Sequence, residues 1–325
     1  MDVIKSMILK KYQDAVPSKV ELEEGLCIIC STDEHQTNLF DGIDKINSIE
    51  GLFGVDCCSN CGLYITNPRP TQETIGHYYP DDYAPYISTE IEKEESKLKQ
   101  FVRNLLNTKA THIPELTPGK LLEIGCASGS FLNKMRLGGW DVKGLEFSDN
   151  AVEKAVKSGL DVEQGSVLDY QDQSDNYDLV VAWMVMEHIH DPVDAFGKIY
   201  GWLKSGGKLA FSVPNAKAFD FNTFKHNSYN LQVPTHLFHF TPETIEKILV
   251  DQGFVDIKIH HQVTLVSIVC SLGYFLQEKK ISPKLCDMLI NFSPAPKWLS
   301  LLLFPVSKLF SWFGQTGRMT VWASK

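Results

Sequence analysis

The stretch "LLEIGCASGSF", residues 121–131, is an apolar run that finishes in an acid, Glu123, and then turns through Gly125 and Gly129, which bracket three small residues. A buried strand followed by a turn almost without side chains is the start of a strand–turn–helix unit. The same grammar repeats outward from it. Apolar runs "KLLEIGC" (120–126), "DVKGLEF" (141–147), "LDVEQGS" (160–166), "YDLVVAWM" (177–184) and "GKLAFSVPN" (207–215) alternate with "GSFLNKMRLGG", "SDNAVEKAVKSG" and "DPVDAFGKIYGWLKSGG". In the last of these, Asp191 is a natural N-cap, Pro192 suits the first helical position, and Gly206 reads as the residue past the helix end. Such alternation predicts an α/β fold with a parallel sheet covered by helices on both faces.

Composition narrows the class. The 325 residues hold 43% hydrophobic and 22% charged side chains, the profile of a soluble globular protein. A net charge of -9, with no run of Lys and Arg, argues against a nucleic-acid surface. The first 25 residues scatter their charges and lack the apolar core of a signal peptide. No apolar run reaches 18 residues, so no spanning helix is expected, and the setting expected is cytoplasmic. Eight cysteines in such a chain read as reduced thiols and metal ligands rather than disulfides.

The turn at 123–129 lies where ligands bind in open parallel sheets, at the carboxyl ends of the strands. It does not close on Gly-Lys-Ser/Thr, has Ala127 where a dinucleotide fingerprint needs glycine, and carries a carboxylate that would repel a pyrophosphate. The expected ligand is therefore uncharged or cationic, oriented by Glu123. A second acid, Glu146, ends the next strand where a ribose-binding carboxylate belongs.

"LLEIGCASGSFL", "VKGLEFS", "VEQGSVLDY", "YDLVVAWMVMEHIHDP" and "LKSGGKLAFSVPN" resemble, in order, the motifs of class I S-adenosylmethionine-dependent methyltransferases, from about 119 to 260 and again at "RMTVWASK". The resemblance implies a Rossmann-like seven-stranded methyltransferase sheet. It implies that Gly125, Cys126, Ala127 and Gly129 pack against the cofactor's methionine moiety, that Glu146 bonds the ribose hydroxyls, and that Phe147 lies beside the adenine. The family usually has Asp near position 166; Ser166 departs from this, while Val167 still suits the ring.

Cys27 and Cys30 ("CIIC") and Cys58 and Cys61 ("CSNC") form two knuckles with the two-residue gap that lets paired thiolates face one tetrahedral ion. Two such pairs favour a structural zinc ribbon over a redox dithiol. Cys57 is spare, and Cys126, Cys270 and Cys286 read as buried small residues. The sequence "CSNCGLYITNPRPTQETIGHYYPDDYAPY" is similar to the N-terminal zinc-binding region of methyltransferases of sugar and glycan biosynthesis. Relatives that methylate carbon carry a further C-terminal domain; this chain ends at its last core strand, so that activity is not carried over. In the resemblance Tyr79 and Tyr83 close over the cofactor, with plain aromatic packing as the alternative.

For the chemistry, His188 in "MEHIHDP" follows the fourth strand on the ligand side. It is the expected base, with Glu187 orienting it or an acceptor hydroxyl; packing near the cofactor is the alternative. His236 and His239 have few neighbouring ligands, which disfavours a metal there. The expected organisation is a zinc-binding domain over 1–85, a helical connector over 86–115 with Leu98, Phe101, Leu105 and Leu106 in one stripe, and the methyltransferase domain over 116–325. An apolar helical insertion over 262–318 serves as substrate cap or homodimer surface, with membrane contact through 296–313 ranked below these. The expected reaction is methyl transfer to a hydroxyl of a sugar nucleotide or glycan precursor. A quinone or polyketide acceptor and a silent, partner-recruiting module are the rivals.

Overall fold

The computed structural model describes residues 9–33, 36–80, 116–293 and 297–325, the side chains at 297, 298 and 300 excepted. The 86–115 connector and Tyr83 lie outside the described residues. The chain divides into two compact units. One joins 1–80, 214–245 and 261–319; the other joins 81–213, 246–260 and 320–325.

The second unit holds a seven-stranded sheet. Its strands are β6 (Lys120–Ile124), β7 (Asp141–Glu146), β8 (Val162–Gln164), β9 (Tyr177–Trp183), β10 (Leu203–Pro214), β12 (Val255–His261) and β13 (Arg318–Ser324). They run in the order β12-β13-β10-β9-β6-β7-β8, and β10·β9, β9·β6, β6·β7 and β7·β8 are parallel. The chain steps from β6 outward to β7 and β8, then returns to lay β9 on the other side of β6. The switch point, where such sheets bind ligands, is therefore between β6 and β9. Helices α1 (Ser130–Leu137), α2 (Asp149–Lys157) and α3 (Pro192–Trp202) make the crossovers. Asp191 caps α3, accepting from the Asp194 N–H at 2.9 Å, and Pro192 opens it. Gly206 does not end this helix. It lies inside β10, where the register with β9 shifts between Leu203 and Lys208. The sheet face is sealed by Leu121, Leu132, Trp140, Leu179, Val181 and Ala210 among others.

The first unit is built on a four-stranded antiparallel sheet, ordered β11-β4-β3-β2, from β2 (Gln36–Gly42), β3 (Phe53–Cys58), β4 (Tyr64–Thr66) and β11 (Phe238–His239). Its core gathers Tyr12, Val20, Phe53, Tyr78, Phe221 and Leu231. Because β11 pairs with β4, this unit is wider than the 1–85 stretch. After the helices α4 (Phe219–Phe224) and α5 (Pro242–Asp251), the helical insertion is present as α6 (Val266–Glu278), α7 (Pro283–Ile290) and α8 (Lys297–Trp312), between β12 and β13.

Candidate functional site

The turn after β6 is held in an unusual backbone. Gly125, Ala127 and Gly129 all have positive φ, at 68°, 46° and 81°. A Cβ at Gly125 would sit 2.5 Å from Val185 Cγ2, and one at Gly129 would sit 2.3 Å from Leu160 Cδ1. Both glycines are thus required by the protein's own packing: the first keeps the crevice at the switch point narrow, and the second seats α1. Ala127 lacks that excuse, and an alanine in the left-handed region is strained.

Glu146 explains how the strain is held. Its Oε2 accepts from the Ala127 N–H at 2.8 Å and its Oε1 from the Ser148 N–H at 2.9 Å. One buried carboxylate fastens the turn after β6 to the start of α2, whose N-cap is Ser148. Each oxygen keeps a second lone pair for a ligand hydroxyl. Glu123 is 3% exposed and Oε2 has no hydrogen-bond partner among the described residues. Burial, and then the charge of Glu146, holds its carboxyl well above the usual carboxylate range. A lone buried oxygen beside a second acid fits a cation and disfavours a phosphate, so these residues suit a ligand with an ammonium or sulfonium group.

The neighbouring positions divide. Phe147 is 65% exposed and free to cover a flat ring. Val167 is buried, and Ser166 caps its own turn, its Oγ accepting from the Leu168 N–H at 3.2 Å. Cys126 is a buried small residue, as its sequence reading has it: its side chain belongs to the core below the turn, against Gly144, and burial pushes its thiol far up. Only its backbone is left to face a ligand.

On the far side of the crevice β9 ends in Trp183, Met184 takes a φ of 58°, and a short 3-10 turn carries Met186–His188. Glu187 is fully buried and His188 half-buried. Sequence reasoning missed Trp183. Its ring meets Phe131 edge-on at 5.4 Å, and its buried indole N–H has no hydrogen-bond partner among the described residues. The sequence marks it only as the large residue closing a buried strand. Met184 carries no signal at all, since nothing in its type suggests a left-handed backbone.

In the other unit, Cys27, Cys30, Cys58 and Cys61 converge, with all four sulfurs within 4.8 Å of one another. Cys27 and Cys61 sulfurs are 3.4 Å apart, and Cys58 and Cys30 sulfurs 3.8 Å. Four thiolates around one zinc at about 2.3 Å stand roughly 3.8 Å apart. The two knuckles are near-copies. The Ser31 N–H donates to Cys27 O and the Gly62 N–H to Cys58 O, both at 2.7 Å, and Ser31 and Gly62 are both left-handed. Burial pushes the Cys27 and Cys61 thiols up. It acts the same way on Cys58, but the N–H groups of Cys61 and Asn60 outweigh it there. Cys57 is outside the group, its thiol directed at the Cys58 carbonyl.

Tyr79, half-buried, ends the 3-10 turn Ile75–Tyr78 in this same unit. His236 and His239 are buried there, each with a hydrogen-bond contact. The His236 Nδ1 is 2.9 Å from Asn230 O and the His239 Nε2 is 3.1 Å from Thr66 Oγ1. Burial brings His239 down to about 3, so it stays neutral.

Comparison with known proteins agrees with the geometry. Residues 92–259 match the family model described as "Methyltransferase domain". Ubiquinone biosynthesis O-methyltransferase of Photobacterium profundum is 28% identical over 138 residues, 40% of this chain and 58% of that protein. The protein of the same name from Acinetobacter baylyi is 29% identical over 119 residues, 34% and 50% of the two chains. The chain thus spans about half the length of the curated relatives it matches. Among solved structures, a SAM dependent methyltransferase from Archaeoglobus fulgidus superposes with a TM-score of 0.44 at 16% identity, over 70% of this chain and 93% of that one. With the family model covering more than half of its residues, the chain belongs to the family of S-adenosylmethionine-dependent methyltransferases.

Proposed function

We propose that the protein methylates a hydroxyl oxygen on a small-molecule ring of the quinone or phenol class. The observation that carries this reading is His188, held on a tight turn just past β9 at the switch point, with Glu187 fully buried beside it in sequence. The names of the reported relatives favour a quinone-type acceptor over the sugar or glycan hydroxyl expected from the cysteine-knuckle resemblance.

When bound, the cofactor supplies a methyl group activated on a sulfonium. Glu146 would hold its ribose hydroxyls, Glu123 would face its cationic end, and Phe147 would cover the adenine. His188 accepts the proton from the acceptor oxygen as that oxygen forms its bond to carbon. A phenolic hydroxyl needs less help than a sugar hydroxyl, since its pKa near 10 is far closer to that of imidazole. We further infer that the four knuckle cysteines hold one zinc that shapes the first unit, with no part in the reaction. Eight cysteines, none of them in a disulfide, suit a reducing, cytoplasmic setting.

The test is transfer of labelled methyl to a panel of catechol-type quinone precursors and nucleotide sugars. Product with a catechol and none with sugars is expected. Methylation of a sugar alone returns the acceptor to the sugar class. Binding of cofactor with no transfer to either class disfavours the reading.

A further inference from the structure

The outward side of α8 has the wrong polarity for a helix in water. Leu301, Leu302, Val306, Leu309, Trp312 and Phe313 are all exposed, Leu302 at 67%, Phe313 at 68% and Trp312 at 80%. At about 100° per residue they fill one arc of roughly 140°. Pro305 falls within that arc, Lys308 stands at its edge, and Ser307 on the opposite side is buried. Trp312 and Phe313 stack at 5.6 Å and end the stripe with a flat aromatic pair. A surface helix normally buries its apolar arc and exposes its polar one; here the exposed arc is the apolar one.

The segment of sequence that carries the helix is also out of keeping with the charge of the rest of the chain. Residues 262–318 carry five lysines and Arg318 against Glu278 and Asp287, a local charge of +4 in a chain of -9. Among the described residues, no helix is long and apolar enough to cross a membrane. An apolar stripe ending in Trp and Phe, on a basic segment too short to span, matches what lies in the headgroup boundary of an anionic bilayer.

A second copy of the chain is the rival occupant. The stripe is one 16-residue helix, about 24 Å long and about 10 Å wide, so about 240 Å² per side. A stable dimer buries about 800 Å² per partner. Lysine is also depleted at protein interfaces.

We propose that α8 docks the protein on an anionic lipid surface, lying in its plane through Leu301–Phe313. This is independent of which acceptor is methylated, and its test does not read activity. Full-length protein is sedimented with vesicles of phosphatidylcholine alone and of phosphatidylcholine with phosphatidylglycerol. Wild type should pellet with the anionic vesicles. Leu302→Ser/Trp312→Ser/Phe313→Ser, all at exposed positions, should weaken that binding roughly tenfold or more. Lys279→Gln/Lys280→Gln/Lys284→Gln should remove most of the preference for anionic lipid. Thermal melting and cofactor titration of each variant establish that it is folded. The proposal is overturned if wild type pellets with neither vesicle, or if the triple serine variant binds as wild type does. A dimer in sedimentation equilibrium that the serine variant loses, with no lipid binding, would assign the stripe to a second copy instead.

Discussion

At the scale of single residues, the carboxylates are the most informative groups. Glu146 both bonds the turn after β6 and keeps lone pairs for a ligand, so its substitutions should separate. Glu146→Gln retains one acceptor and should weaken S-adenosylmethionine binding moderately. Glu146→Ala releases Ala127 as well and should cost on the order of 2–4 kcal/mol of cofactor affinity, read by calorimetry. His188→Ala should lower turnover by about 10²–10⁴-fold with cofactor affinity near wild type. Lost cofactor binding would instead mark His188 as a packing residue. Asp220, which the proposed reaction does not use, gives a stability test. It is fully buried, accepts from Ser228 Oγ at 3.1 Å, and burial raises it to about 6. A carboxyl raised in the fold stabilises below its ordinary pKa near 4, and that contribution is lost as pH rises through 6. Asp220→Asn should therefore melt with wild type near pH 4 and several degrees above it near pH 7.5, a difference of up to about 3 kcal/mol. Parallel melting curves across that range would remove Asp220 as the source.

At the scale of elements, the β6–turn–α1 unit and the cysteine knuckles each have a decisive test. Gly125→Ala adds a Cβ where φ is positive and Val185 is already too near. It should lower both melting temperature and cofactor affinity. Val185→Ala in the same chain should recover the packing part and leave the backbone strain, so a double-mutant cycle divides the two. Stripping zinc with a chelator should release one equivalent of metal per chain and lower the melting temperature, whereas Cys57→Ser should do neither. How far these elements could be read beforehand follows from range. The strands β6 and β9 were legible because each is a mostly buried apolar run, and α3 because Asp191 and Pro192 are local signals. The cysteine knuckles were legible for the same reason, each being complete within five residues. That Cys126 is buried was legible from its residue type, but the space it fills was not, because that depends on the missing side chain of Gly144 on the neighbouring strand. Nor was β11, since two residues, "FH", carry no period and owe their strand to β4.

At the scale of the whole molecule, the sequence order of modules is not the order of assembly. The unit that holds the cysteines is drawn from three separated lengths of chain, and the reading of an N-terminal domain closed at residue 85 had no local cue to reveal this. A fragment ending near residue 85 should therefore still gather its four sulfurs on zinc, while the Thr66 amide, which donates to Leu237 O in the whole chain, should exchange its hydrogen faster in the fragment. Full protection in the fragment would mean that β11 is dispensable. The pairing of β11 with β4 also sets a timetable for biosynthesis. Thr66 leaves the ribosome about 170 residues before Phe238. At about 5–20 residues per second, the edge of β4 waits roughly ten to thirty seconds for its partner. During that interval the nascent chain presents an unpaired strand edge, the kind of edge that finished folds keep covered.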